Sequence, residues 1–536
     1  MISQAEWWRG AVIYQIYPRS FFDSNDDGVG DLNGIARQLD YIAELGVDAI
    51  WIAPFFVSPM QDFGYDVSDY CAVDPVFGTL GDFDRLLARA HALGLKVLID
   101  QVWSHTSDRH PWFVESRASR DCPRADWYVW ADPRPDGTPP NNWLSVFGGP
   151  AWRWEPRRRQ FHLHHFVPQQ PQLNLRNDAV VEALLAVGRF WLDRGVDGFR
   201  LDAVDFLLHD PQLRDNPPRP PEDGVIPAKL FGLQHHQHDM LQPDIRAVLR
   251  RIGRLMAHYP GTTTLAEVSS QDGAFERIER YTSGTDQLQM AYTLQPLRGA
   301  FDRPTLLRLI GETASGAPQG WIAWSFSNHD VERAVSRWGP TARDADFARL
   351  LMGLLLSLRG SPCVYQGEEL GLPDSVVAFE DIRDPFGLAY YPEYRGRDGS
   401  RTPFPWRAAA PHAGFSAAKP WLPVEPLHIP LSVDRQEADP HSVLRAWRRF
   451  LTWRKTHPAL VDGALEPVTA PPPLVAFRRR NAAESLLIVL NTAAEPAGVP
   501  AELIAATRPL DGHGFPSSRA DGGLVLPRYG MFFGTE

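Results

Sequence analysis

Cysteine is scarce in this chain. Cys71, Cys122 and Cys363 are the only thiols in 536 residues, an odd, sparse set that argues against a disulfide framework and predicts reduced packing residues in a cytoplasmic protein. No run of about eighteen apolar residues occurs, so no membrane helix is expected. The opening MISQAEWWRG lacks a basic region followed by an apolar core, so no secretory signal is expected either. Positive charge is the minority: 54 Lys and Arg against 65 Asp and Glu leave a net −11, which argues against nucleic acid or another polyanion as partner. Arg157, Arg158 and Arg159 read as a solvated face.

What is present is enough apolar material, 44% of residues, to bury two or three cores. Tryptophan is frequent at 18, and much of the aromatic weight falls between Trp103 and Trp154. Such rings stack on sugar faces as readily as they fill cores.

Eight apolar runs alternate with amphipathic helical patterns. They are AVIYQIYPRSF (11–21), VDAIWIAP (47–54), KVLIDQVW (96–103), VDGFRLDAV (196–204), TTTLAEV (262–268), LQMAYTL (288–294), WIAWSFSNHD (321–330) and SPCVYQGEELG (361–371). The first helix is read from Leu32, Ile35, Leu39, Ile42 and Leu45, stopping at Gly46, and the next from Phe83, Leu86, Leu87, Ala90 and Leu93. Strands apolar on both faces predict a parallel sheet, and eight such units predict a (β/α)8 barrel. No Gly-rich dinucleotide turn follows the first strand, which disfavours a doubly wound sheet. The expected organisation is barrel over 1–102, an inserted loop-rich subdomain over 103–177, barrel again over 178–460, and a C-terminal β domain over 461–536. Residues 441–460 are read as the last barrel helix. A Pro-rich loop, HDPQLRDNPPRPPEDG, follows the fourth strand and cannot be a helix.

In a barrel of this kind, chemistry sits at the C-terminal ends of the strands. There this chain puts Asp100 and His105 (third strand), Arg200 and Asp202 (fourth), Glu267 (fifth), and His329 with Asp330 (seventh). Arg200 and Asp202 are two apart and share one side of an extended strand. An Arg beside an Asp is expected to keep it ionised as a nucleophile, and desolvation to keep Glu267 protonated as an acid. Carboxyls whose environments push their pKa values apart are the basis of glycoside cleavage.

FFDSNDDGVGDLNGI (21–35) matches the first nine positions of a calcium loop, with Asp23, Asn25, Asp27 and Asp31 at alternate places and Gly28 at the bend. The closing Glu is missing, and Gly34 stands in its place. The alternative reading is a set of Asx turns. His235, His236 and His238 could suggest a transition-metal site, but they read better as solvated histidines.

The motifs DQVWSH (100–105), GFRLDAV (198–204), LAEV (265–268) and FSNHD (326–330), flanked by DFGYDVSDY (62–70), YQGEELG (365–371) and RTPFPW (401–406), resemble the α-amylase family of glycoside hydrolases, in its α-glucosidase and oligo-1,6-glucosidase branch. The resemblance runs nearly end to end. It implies that Asp202 is the nucleophile of a retaining mechanism, Glu267 the general acid and base, and Asp330 the third carboxylate, on the sugar hydroxyls. It implies a glucose pocket walled by Asp62, Tyr65, His105, Phe166, Gln170, Arg200, His329 and Arg401, with Arg397 competing for the role of Arg401. It also implies structural Ca2+ or Mg2+ on Asp23, Asn25, Asp27, the Val29 carbonyl and Asp31, where no closing Glu is needed. Two positions depart from the branch: Gln172 where an Asp is common, and Ala203 where Val accompanies 1,6 and Thr 1,4 preference.

The expected activity is exo-cleavage of maltose-like α-glucosides, with glucosyl transfer to alcohol acceptors, in a cytoplasmic monomer or homodimer. The alternatives are a sucrose- or trehalose-directed transferase or isomerase with the same triad, and an inactive binding subunit. The second is disfavoured because all three carboxylates are present.

Overall fold

The computed structural model describes residues 6–269, 273–293, 299–341, 343–520 and 523–536. Eight parallel strands close a barrel: β1 (Ile13–Ile16), β2 (Ala49–Ile52), β3 (Lys96–Gln101), β4 (Gly198–Leu201), β5 (Thr263–Val268), β6 (Met290–Thr293), β7 (Ile322–Ser325) and β8 (Ser361–Tyr365). Each pairs with its neighbour in sequence, and β8 returns to β1. All eight apolar runs thus carry a barrel strand. Leu294, the last residue of the sixth run, lies outside the described residues. Apart from half-buried Lys96 every strand residue is buried, as expected where side chains fill the barrel on one face and pack on helices on the other. Each fully buried Ile or Leu there contributes roughly 1.5–3 kcal/mol.

Helices start where the sequence supplies caps. Thr79 and Asp82 form a reciprocal capping box for Leu80–Ala92, and the Asn177 side chain accepts from Ala179 N to start Asp178–Asp193. The helix expected over 32–45 is instead two, Leu32–Arg37 and Leu39–Leu45, broken at Gln38 (φ −103°, ψ 7°). Its apolar spacing survives the break, which is why periodicity alone did not reveal it. The 441–460 segment is likewise two helices, Val443–Arg454 and Pro458–Asp462.

Between β3 and β4 lies a small antiparallel sheet of Trp130–Ala131, Gln160–Leu163 and Trp152–Glu155. Trp143, Trp152, Phe161 and Leu163 form its core. These tryptophans are therefore packing residues, not sugar platforms. Arg158 is buried and donates to the Ser116 and Ser119 carbonyls, so only its two neighbours are the exposed face that the triple Arg suggested. Strands from Ala464 onward build a five-stranded antiparallel sheet and a smaller three-stranded one. All three cysteines are free, with Cys363 buried. Among the described residues no helix is long and apolar enough to cross a membrane.

Candidate active site

The barrel's parallel register puts Asp100 beside Arg200 and Glu267 beside Tyr292. Arg200 is completely buried at this level and reaches three carboxylates. Its Nη1 donates to Asp100 Oδ1 at 2.9 Å and Asp202 Oδ1 at 2.6 Å, and its Nη2 to Glu267 Oε2 at 2.5 Å and the Tyr292 hydroxyl at 2.7 Å. One guanidinium therefore holds Asp202 and Glu267 on its two prongs. Trp51 lies 5.0 Å beneath it and donates its Nε1–H to Asp100.

Three acids share this one cation in a nearly dry setting, and burial dominates. It pushes Glu267 up to about 8, Asp202 up to about 7 and Asp100 up to about 6, with Arg200 pulling each of them down. The expectation that Arg200 would lower the Asp202 pKa and so keep it ionised is thus corrected: desolvation outweighs its guanidinium. Glu267 is raised further than Asp202, the direction a proton donor beside an ionised nucleophile needs.

Asp330 has the opposite environment. Burial would raise it, but His329, Arg397 and Arg401 hold it well below the usual carboxylate range. Arg401 Nη2 donates to its Oδ1 at 2.9 Å and Arg397 Nη1 to the same oxygen at 3.2 Å. The two arginines share one Asp330 oxygen. Arg397 also reaches Asp62 at 2.6 Å, and Asp384 orients it at 2.8 Å.

The other residues expected to wall the pocket converge as well. Tyr65 stacks on His329 with ring centroids 5.3 Å apart. Gln15 Nε2 donates to His329 Nδ1 at 2.8 Å, which fixes the neutral tautomer carrying its proton on Nε2, 2.6 Å from the Tyr65 hydroxyl. The Tyr65 hydroxyl in turn donates to Asp100 Oδ2 at 3.1 Å. Gln170 donates to Asp62 at 3.1 Å and lies 3.1 Å from His105 Nε2, while Phe166 lies against the His105 ring at 5.2 Å. Burial holds His105 and His329 neutral, near about 3. Sequence reasoning missed Gln15, Trp51, Tyr292 and Asp384. The first three lie on β1, β2 and β6, where barrel closure alone reveals that they face the same space.

The loop after β1 is laced by its own side chains. Asp23 Oδ1 accepts from Asn25 N and Asp26 N, Asn25 Oδ1 from Asp27 N, and Asp27 Oδ1 from Val29 N. Asp31 caps the following helix through Gly34 N at 2.7 Å and also takes both donors of Ser24. These are the Asx turns of the alternative reading, and among the described residues no group of three or more His, Cys, Asp or Glu side chains is gathered as a metal cage. On donor chemistry the set still fits a hard cation: three carboxylates, an amide oxygen and the Val29 carbonyl are all oxygens, with lone pairs beyond the bonds they accept. The missing Glu has a steric cause. A Cβ on Gly34 would sit 1.9 Å from the Phe22 carbonyl oxygen, so no side chain can stand there.

The histidine run at 235–238 is not a solvated cluster throughout. His235 is exposed, but His236 bonds Asp239 at 2.7 Å and the Phe231 carbonyl at 2.7 Å.

A closed parallel barrel whose C-terminal mouth gathers acids around one buried arginine defines a glycoside-cleaving class of enzyme. The chain belongs to the α-amylase family of glycoside hydrolases: the family model described as alpha amylase, catalytic domain, matches residues 15–463. It is 52% identical to a probable alpha-glucosidase of Rhizobium meliloti (strain 1021), over 98% of this chain and 97% of that protein. It is 36% identical to an oligo-1,6-glucosidase of Heyndrickxia coagulans, over 91% and 92%. Among solved structures, an alpha-glucosyl transfer enzyme, XgtA, superposes with a TM-score of 0.95 at 51% identity, with 99% of each chain covered.

Proposed function

We propose that this enzyme is a retaining, exo-acting α-glucosidase of the cytoplasm that releases glucose from maltose-like α-glucosides. Asp202 attacks the anomeric carbon and forms a covalent glucosyl ester as Glu267 gives its proton to the departing glycosidic oxygen. Glu267, now ionised, takes a proton from water or from an alcohol, whose oxygen displaces Asp202 and restores both carboxyls. Asp330, held ionised by its arginines, grips the sugar hydroxyls and steadies the positive charge that develops in the ring. The Arg200 fork joining Asp202 to Glu267 carries this reading, because it holds the nucleophile and the acid side by side at the barrel mouth. The burial of both carboxyls, at 8% and 7% exposure, supports an end-on pocket rather than an open cleft. Transfer to alcohols is the second outcome of the same intermediate, and the likeness to a glucosyl transfer enzyme supports it.

Ca2+ or Mg2+ would sit on Asp23, Asn25, Asp27, Val29 and Asp31, where it supplies rigidity and no chemistry. The test is to incubate the enzyme with maltose, with and without a small alcohol, and resolve products by chromatography. Hydrolysis gives two glucose per maltose, and transfer gives one plus an α-glucoside. Asp202→Asn is expected to abolish both, and turnover surviving in that variant would overturn the mechanism.

A further inference from the structure

Gln15 is buried on β1 and has no part in the chemistry above. Among the described residues its Oε1 meets no donor, so the 2.8 Å bond from its Nε2 to His329 Nδ1 is the amide's single tie. The imidazole it meets is held against turning. Its ring lies nearly parallel to those of Tyr17 and Tyr65, with centroids 5.7 and 5.3 Å away, Trp51 stands edge-on at 6.3 Å, and Arg401 Nε grips the His329 carbonyl at 2.7 Å. Only the choice of nitrogen for its proton is left open. At the other nitrogen, Nε2 lies 2.6 Å from the Tyr65 hydroxyl and 3.2 Å from Asp330 Oδ2. Asp330 is held ionised, so a proton on Nε2 meets a negative charge there and a lone pair would oppose one. Gln15 favours the first arrangement, because its N–H can donate only to a lone pair on Nδ1. The bonds then run in one direction, from Gln15 to His329, from His329 to Tyr65, and from Tyr65 to Asp100.

We propose that Gln15 is a positioning residue for glycoside cleavage: it keeps the His329 proton on Nε2, so that Asp330 and Asp100 each keep a donor. This rests on the glucosidase reading above. In the other tautomer the proton sits on Nδ1, the Tyr65 hydroxyl turns from Asp100 to the Nε2 lone pair, and that nitrogen no longer offers Asp330 a hydrogen. Asp100 is then left with the Trp51 indole at 3.3 Å and with Arg200. Asp330 steadies the positive charge that grows in the sugar ring, so the loss falls on the transition state and on kcat more than on KM. Tyr17, Tyr65, Asp330, Arg200, Arg397 and Arg401 are the titratable and charged groups around the ring. Burial and the three arginines oppose an imidazolium, which leaves the two neutral forms as the choice that Gln15 decides.

The test follows kcat and KM for a p-nitrophenyl α-glucoside over about pH 5 to 10. Gln15→Met, similar in size but without a donor, is expected to lower kcat roughly three- to tenfold, the effect of one lost hydrogen bond, at every pH and with KM nearly unchanged. Gln15→Glu supplies a readout that packing alone would not move. Protonated, the new carboxyl donates to Nδ1 as the amide does; ionised, it accepts and draws the proton to Nδ1. The kcat of Gln15→Glu should therefore approach that of the parent at the acid end and show an added alkaline loss that neither the parent nor Gln15→Met shows. A Gln15→Glu profile parallel to the parent's, or a Gln15→Met kcat within about twofold of it, would overturn the role of Gln15 while leaving the glucosidase reading intact. Should the carboxyl variant fail to fold, the kcat and KM of Gln15→Met decide alone. A parent enzyme that cleaves no α-glucoside would remove both.

Discussion

At the scale of the residue, burial decides how the site titrates, with Arg200 pulling against it. Three acids share one buried cation, and burial raises Asp202 and Glu267 together, Glu267 the further. The kcat/KM of the free enzyme is therefore expected to rise as Asp202 ionises near about 7 and to fall as Glu267 loses its proton near about 8. Assays from pH 5 to 10 check this. The alkaline limb should weaken for a p-nitrophenyl α-glucoside, whose leaving group needs little protonation, and an unchanged limb would assign it to another group. The same shift predicts a stability effect. Glu267 binds its proton more tightly folded than unfolded, where its pKa is about 4.3. Its contribution is complete below that value and is lost as pH rises through about 8. Glu267→Gln should therefore melt higher than the parent at pH 9, and the difference should shrink at pH 5.

At the scale of the element, legibility followed burial. The barrel strands were readable because parallel strands covered on both faces leave unbroken apolar runs, and their ends placed Asp202, Glu267 and Asp330 in one space. The break at Gln38 was not, because both half-helices share one apolar stripe. Tyr292 and Gln15 were hidden for another reason: alone on a strand each is an ordinary polar residue, and only the barrel's register sets it against Glu267 or His329. Buried arginines were also invisible, since a guanidinium bound only to carbonyls leaves no partner in the sequence. Arg479, from strand Leu474–Arg480, donates to the Ser357 and Leu358 carbonyls at 2.7 Å each, where helix Ala345–Ser357 ends, and to Gly463 at 2.9 Å. It thereby pins the C-terminal sheet to a barrel helix at the negative end of that helix's dipole. Arg479→Met leaves buried carbonyls without donors and is expected to cost about 3 kcal/mol, read as a lower calorimetric melting temperature. An unchanged melt would mean that apolar packing alone docks the sheet.

At the scale of the whole molecule, the loop after β1 joins parts of the chain almost 400 residues apart. Asp23 N donates to the Phe415 carbonyl at 3.1 Å, Ser416 Oγ to Asp23 Oδ2 at 2.6 Å, and Trp421 N to the Gly28 carbonyl at 2.9 Å. The neighbouring Trp406 ties its indole N–H to the Phe21 carbonyl at 2.7 Å. The loop is thus a seam between the first barrel strand and the segment that follows the last one. Asp23, Asp26, Asp27 and Asp31 crowd this seam, and a cation binding there would relieve their repulsion in the folded state only. Folded-state binding stabilises by about 2.7 kcal/mol at one hundred times the dissociation constant. The melting temperature is therefore expected to fall on treatment with EDTA, to recover on adding Ca2+ or Mg2+, and to climb with the logarithm of cation concentration. Asp27→Ala, which removes an exposed ligand while sparing the Asp23 and Asp31 bonds, should abolish that dependence. A parent melt indifferent to both cations and chelator would show that the Asx turns alone close the seam.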